Sequence, residues 1–256
     1  MKRTMLYFGS FNPIHKGHIA LAEYVLQQGL CDCVVLVVSP QNPMKQESSL
    51  LPELTRFEMA EIACRESMLP GQIQPSAVEF LLDKPSYTIN TLRFLQENNG
   101  REMEFSILIG ADNLENFHKW KEAETILANY KIYVYPRSGY SSESTLPNIH
   151  FLANAPLFDC SSTDIRSAIA NGRDVSAMLS TGVLEYIKNN RLFRPDGEIA
   201  ELKREGVEYF RRNEWGNALN SFRKALEKNP EETEAQEYIK MIEEILAFRY
   251  KDIYNP

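Results

Sequence analysis

Long hydrophobic runs are missing from this 256-residue chain. No apolar stretch approaches the roughly 18–20 residues that a membrane span needs. Met1-Lys2-Arg3-Thr4 leads straight into a short apolar run with no cleavage site behind it, so neither a signal peptide nor a membrane partner is expected and the location expected is cytoplasmic. Cysteine is sparse, at Cys31, Cys33, Cys64 and Cys160. Cys31-Asp32-Cys33 has the wrong spacing for a zinc knuckle or a redox pair, so reduced, mostly buried thiols are expected. Positive charge is also short. With 28 Lys and Arg against 35 Asp and Glu the net charge is −7, which argues against nucleic-acid binding over the whole surface. A small anionic substrate stays open, because a few cations and helix termini reverse the field inside a cleft. Histidine occurs four times, and His15 and His18 fall in one short segment, whereas His118 and His150 have no matching motif.

What is present is a regular alternation. Apolar runs alternate with helical patterns through about residue 195. Strands are expected at Thr4–Phe8, Cys33–Val38, Ile73–Val78, Phe105–Ile109, Lys131–Tyr135 and Ile149–Leu152. The β-branched run Cys33-Val34-Val35-Leu36-Val37-Val38 has the pattern of a strand buried on both faces. A helix is expected over Glu53–Ser67, with Leu54, Phe57, Ile62 and Ala63 facing the core. Another is expected from Ser86-Tyr87-Thr88 to Asn98-Asn99-Gly100. Strands separated by helices of this length imply an α/β fold with a doubly wound parallel sheet. Ligands in such sheets bind beyond the carboxyl ends of the strands. Gly9–His18, Ser39–Lys45 and Gly110-Ala111-Asp112 all fall at those ends.

The segment Gly9-Ser10-Phe11-Asn12-Pro13-Ile14-His15-Lys16-Gly17-His18 joins the first strand to a helix. Free backbone N–H groups and a positive helix end meet there, which suits phosphate. Residues at i and i+3 share a helix face, so both imidazoles can reach one ligand. Two histidines alone are too few for a catalytic zinc site, and no metal site is expected.

The same run resembles the HxGH signature of the nucleotidyltransferase superfamily. Pro85-Ser86-Tyr87-Thr88-Ile89-Asn90-Thr91-Leu92, Gly110-Ala111-Asp112 with Lys119-Trp120, and Pro136-Arg137-Ser138-Gly139-Tyr140 narrow the resemblance to bacterial nicotinate-nucleotide adenylyltransferases. Cys160-Ser161-Ser162-Thr163-Asp164-Ile165-Arg166 is similar to the superfamily's Ile-Ser-Ser-Thr-x-Ile-Arg, with cysteine at an apolar position. Val183-Leu184-Glu185-Tyr186-Ile187, Asn190 and Leu192-Phe193 complete a likeness spanning about residues 4–194.

The resemblance implies a Rossmann-like nucleotidyltransferase fold. It implies transfer of the adenylyl group of ATP to nicotinate mononucleotide, with Mg²⁺ accompanying ATP. His15 and His18 would be catalytic. Gly9, Ser10, Phe11, Gly17, Lys45, Ser161, Ser162, Thr163 and Arg166 would hold ATP, Gly17 by leaving the helix start open. Tyr87, Thr88, Gly110, Asp112, Trp120 and Arg137 would hold nicotinate mononucleotide, with Trp120 stacking on the pyridine. From the residues alone, Ser86 or Thr88 can cap a helix. Asp112 can cap a helix or meet a ribose, Lys45 can be a solvated lysine, and Arg56 can be a family arginine or part of a salt bridge. Acceptors such as nicotinamide mononucleotide or 4′-phosphopantetheine, and a catalytically silent nucleotide-binding protein, are the competing readings.

Composition changes near Pro195-Asp196-Gly197. From there to the end, 14 acidic and 10 basic residues supply −4 of the net charge. The expected domains are residues 1–194 and a helical extension over 195–256. Gly206, Tyr209, Trp215, Ala218, Phe222, Ala225 and Pro230 fall on the positions of one tetratricopeptide motif, followed by a helix over Glu231–Arg249. One such repeat cannot bury its apolar face alone, so the extension is expected to dock on the core or on a second subunit.

Overall fold

The computed structural model describes residues 1–40, 50–140, 146–158 and 160–251. Six strands form one sheet: β1 (Lys2–Gly9), β2 (Cys33–Val38), β3 (Ile73–Ser76), β4 (Met103–Gly110), β5 (Lys131–Tyr135) and β6 (Ile149–Phe151). All pairings are parallel, in the order β3-β2-β1-β4-β5-β6. The helices are α1 (Lys16–Gln27), α2 (Glu53–Arg65), α3 (Thr88–Asn99), α4 (Ala111–Glu115), α5 (Ala123–Asn129), α6 (Ser162–Ala170), α7 (Thr181–Asn189), α8 (Pro195–Arg211), α9 (Trp215–Lys228) and α10 (Thr233–Lys251). Among the described residues no helix is long and apolar enough to cross a membrane. All four cysteines are free thiols, and Cys160 alone is not buried.

Chain contacts divide the molecule into two units, residues 1–166 with 174–186, and residues 167–173 with 187–256. In the first unit the β-branched run of β2 behaves as its composition requires, with Val34, Leu36, Val37 and Val38 fully buried. Strand order reverses between β1 and β4, so their carboxyl ends part and leave a crevice. The register pairs Gly9 with Val38 and Gly110 with Tyr135, which brings four strand ends to one edge.

The burial of α2 differs from its apolar pattern. Leu54 is 61% exposed, Phe57 and Ile62 are half-buried, and Ala63 alone of the four expected contacts is buried. The buried face carries Arg56, Met59, Ala60, Ala63 and Cys64, and Arg56 is 0% exposed. Among the described residues its guanidinium makes no salt bridge. It donates to four backbone carbonyls: Leu51 at 2.9 Å, Ser10 at 2.6 Å, Ser39 at 2.8 Å and Pro40 at 3.0 Å. One planar fork thus ties the exits of β1 and β2 to the start of α2. Burial lowers its pKa to about 10, opposed by the charge of Glu53, so it stays a cation at neutral pH.

The second unit is helical. Ala218, Phe222 and Ala225 of α9 and Ala235 and Ile242 of α10 are fully buried in its core. A side chain at Gly206 would place its Cβ 2.7 Å from the Phe222 ring, so glycine there lets α8 and α9 approach. Phe222 in turn stacks on Tyr238 of α10, with centroids 4.8 Å apart.

Removing the Arg56 fork strands several buried carbonyl oxygens. Arg56→Lys keeps the charge but not the geometry, and it is expected to lower the unfolding free energy by about 2–4 kcal/mol, with Arg56→Met losing at least as much. Chemical denaturation reads the difference as a lower midpoint.

Candidate active site

Three cavities, of about 390, 410 and 200 Å³, open at the carboxyl edge of the sheet and share Tyr7, Asp112 and Tyr135 as walls. Tyr7 ends the buried part of β1 and Tyr135 ends β5; their hydroxyls meet at 3.2 Å. Burial, reinforced by Tyr135, raises the Tyr7 phenol well above its ordinary value, so it is a neutral hydroxyl.

The 200 Å³ cavity holds the two histidines, with Gly9, Ser10, Phe11, Ser162, Thr163, Arg166 and Arg137 around them. His15 is the N-cap of α1, and its Nδ1 accepts from the N–H of Gly17 at 3.2 Å. The N–H of His15 donates to Nδ1 of His18 at 3.2 Å. Each Nδ1 is therefore an acceptor, and a neutral ring then carries its proton on Nε2 as a donor. The two rings lie 3.8 Å apart at 36°. Burial, with the positive charge of Arg137 adding to it, lowers the His15 pKa to about 4. Phe11 has φ of 45° and is buried, its ring edge-on to His18 at 5.1 Å. A Cβ at Gly9 would lie 2.8 Å from that ring. A Cβ at Gly17 would lie 2.9 Å from Nδ1 of His15 and 3.1 Å from Phe158, so glycine there makes room for the histidine, and it lines the 410 Å³ cavity.

The turn before α1 is pinned from several elements. Arg166 donates to the carbonyl of Asn12 at 2.8 Å and to Thr163 Oγ1 at 3.2 Å. Ser162 Oγ donates to the carbonyl of Pro13 at 2.8 Å. Leu51 N–H donates to Asn12 Oδ1 at 3.3 Å, and Lys16 Nζ reaches the carbonyls of Ser176 and Ala177. Ser161 precedes α6 and exchanges hydrogen bonds with Asp164. Its Oγ accepts from the Asp164 N–H at 3.2 Å, and the Asp164 carboxylate accepts from the Ser161 N–H at 2.9 Å. This is the capping arrangement that the Ser-Ser-Thr segment suggests.

The 390 Å³ cavity is lined by Tyr87, Thr88, Gly110, Asp112 and Trp120, together with Glu79, Ser39, Ser86, Lys119 and Lys121. Trp120 packs on Phe117 at 5.0 Å, and Lys121 Nζ lies 4.9 Å over the Tyr87 ring. Neither Ser86 nor Thr88 caps α3. The N-cap position is Tyr87, with no side-chain cap bond, so amides of the first turn remain available. Asp112 is inside α4 and caps nothing; Gly110 takes the cap position. A Cβ at Gly110 would lie 2.2 Å from Asp112 Oδ1. Asp112 Oδ1 and Arg137 Nε lie 3.6 Å apart, each buried without a hydrogen-bond partner. Arg137 lines the two cavities that hold His18, not the one that holds Trp120. Lys45 lies outside the described residues, as do Gln41–Ser49 around it. Tyr7, Tyr135 and Glu79 are site residues that sequence reasoning missed. Their one signal is position, at or just beyond strand ends.

With its Nδ1 engaged and its pKa near 4, His15 is expected to show a neutral, Nε2-protonated ¹⁵N pattern at pH 7 and to titrate well below a free imidazole. As the unfolded chain protonates first on acidification, this residue withdraws stability as pH falls from about 6.5 toward 4. Ring-nitrogen NMR checks both.

Comparison with known proteins follows the same outline. A cytidylyltransferase-like family profile matches residues 6–168. The chain is 40% identical over 193 residues to a probable nicotinate-nucleotide adenylyltransferase of Flavobacterium johnsoniae, a match covering 74% of this chain and 97% of that protein. It is 40% identical over 187 residues to a probable nicotinate-nucleotide adenylyltransferase of Bacteroides fragilis, covering 72% and 90%. The solved structure of Plasmodium falciparum nicotinic acid mononucleotide adenylyltransferase complexed with NaAD aligns over 75% of this chain and 98% of that one. Its TM-score is 0.66 at 17% identity, a likeness of fold. On these matches, the chain belongs to the nicotinate-nucleotide adenylyltransferase family.

Proposed function

We propose that the protein transfers the adenylyl group of ATP to nicotinate mononucleotide, giving deamido-NAD and pyrophosphate, a step of NAD biosynthesis. The observation that carries the reading is the junction of the cavities. Two Nε2–H donors stand beside an aromatic-walled pocket, with a shared wall between them.

In this reading the triphosphate lies along His15, His18, the N-terminus of α6 and Arg166. Two of the arginine's five N–H groups are committed to Asn12 and Thr163, and among the described residues the rest have no partner and can meet phosphate oxygens. The adenosine extends into the 410 Å³ cavity past Phe158 and Ser161. Nicotinate mononucleotide fills the 390 Å³ cavity, with its ring on Trp120 and its carboxylate at the uncapped amides of α3. Arg137 then stands where the acceptor phosphate meets the α-phosphate.

An oxygen of the acceptor's 5′-phosphate attacks the α-phosphorus, the bond to the bridging oxygen breaks, and pyrophosphate leaves with the electron pair. The nucleophile is already anionic, so no general base is required. Catalysis is positioning and charge stabilisation. Neutral imidazoles serve as fixed donors to the oxygens that gain charge. Mg²⁺ accompanying ATP would offset the charge of its phosphates. The C-terminal helices carry none of these residues, and we assign them to docking, on the catalytic unit or a second subunit.

A pyrophosphate-release assay with a panel of acceptors tests the reading: nicotinate mononucleotide should turn over with the highest kcat/KM. Preferential turnover of 4′-phosphopantetheine would overturn the acceptor assignment. His18→Ala is expected to cost about 10²–10³ in kcat with little change in the thermal melt; an equal loss of fold would make the residue structural.

A further inference from the structure

Tyr7 of β1 and Tyr135 of β5 stand on the strands to either side of β4. The register pairs Tyr7 with Leu108 and Tyr135 with Gly110. Leu108 and Gly110 lie two positions apart on β4, so all four residues share one face of the sheet. The two phenols meet over the end of β4, and glycine leaves the room. A Cβ at Gly110 would lie 3.1 Å from the Tyr135 hydroxyl oxygen and 2.2 Å from Asp112 Oδ1. Both tyrosines are buried, edge to face, with ring centroids 6.0 Å apart.

Two hydroxyls in contact use one proton between them, so one proton is left over. The Tyr7 hydroxyl donates to that of Tyr135 at 3.2 Å, which gives the spare proton to Tyr135. Among the described residues that proton meets no acceptor. A buried donor without a partner is costly unless a ligand supplies one. Two more groups there have unmet capacity: Asp112 Oδ1 and Arg137 Nε are buried without hydrogen-bond partners. The Arg137 guanidinium lies 5.7 Å from the Tyr135 ring centre. Tyr7, Asp112 and Tyr135 wall all three cavities of the site. In the reading above, the pyridine ring keeps to the 390 Å³ cavity and adenosine to the 410 Å³ cavity. Only the reacting phosphates lie where the three meet. We propose that Tyr135 is a further catalytic residue, its hydroxyl donating to the phosphoryl group under attack, and that Tyr7 is the positioning residue that fixes its oxygen. The inference deepens the proposed adenylyl transfer and rests on it. The proton stays on Tyr135 throughout; the O–H stabilises charge as the neutral imidazoles do.

The test uses the full chain with ATP and the acceptor that turns over best in the panel above. Tyr135→Phe keeps the ring and removes only the hydroxyl. It is expected to lower kcat about 10²-fold, with the KM of both substrates within about twofold of native. The single-turnover rate should fall by the same factor as kcat. Tyr7→Phe should lower kcat about tenfold, and the double Phe variant should be no slower than Tyr135→Phe alone, because Tyr7 acts only through its partner. A crystal structure of the native protein with a non-hydrolysable ATP analogue and the acceptor depends on no variant folding. It should place the Tyr135 hydroxyl oxygen within about 3.0 Å of a phosphate oxygen. A Tyr135→Phe kcat within about threefold of native, or losses confined to KM and the thermal melt, overturns the role of Tyr135. So does a hydroxyl that stands away from every phosphate. Additive losses in the double variant overturn the role of Tyr7. A best acceptor other than a pyridine mononucleotide overturns the acceptor assignment and leaves the tyrosine comparisons standing. Absence of turnover with every acceptor overturns both.

Discussion

The strand-to-helix turn between Ser10 and His18 is the constraint on which the rest of the structure depends. Its carbonyls are held one after another: Ser10 by Arg56, Asn12 by Arg166 and Pro13 by Ser162. These donors come from different elements, so the turn has its geometry only when α2 and α6 are in place. Ordering a loop this tightly costs conformational entropy, and charge-assisted hydrogen bonds to buried carbonyls offset it. The result is a segment that cannot drift, and the histidines are attached to it.

From that rigidity the electrostatics follow. Backbone amides occupy the Nδ1 of both rings, burial keeps His15 uncharged, and both residues line the same cavity. Fixed donors in a partly dry cleft need no reorganisation when charge develops, which is where such sites gain most of their rate. The acceptor side uses the same economy. In the proposed acceptor mode, uncapped amides of α3 and the aromatic wall of Trp120 supply recognition with little formal charge.

Much of this was legible in the chain. The β-branched run of β2 is buried as its composition requires, Ser161 and Asp164 exchange hydrogen bonds at the start of α6, and the histidines flanking Gly17 lie side by side in one cavity. The failures share a cause. Leu54 looks like a core residue and is exposed, while Arg56, which reads as a family arginine or half of a salt bridge, is fully buried on backbone carbonyls. Helical periodicity ranks positions by polarity, and it cannot foresee four carbonyls converging from three segments. Glu79 was invisible for the same reason, being an acid in a turn whose partner, Thr91, is set by tertiary packing. Ser86 and Thr88 were plausible caps, yet Tyr87 took the cap position and left the amides free.

The central claim is that both imidazoles present Nε2–H to the α- and β-phosphates of bound ATP while their Nδ1 atoms stay on the backbone. A crystal structure with a non-hydrolysable ATP analogue tests it most directly. The account requires each Nε2 within about 3.2 Å of a phosphate oxygen and the Gly17 and His15 amides still on Nδ1. Rings turned so that Nδ1 meets the nucleotide, or a triphosphate bound away from the cavity that His15 and His18 share, would contradict it.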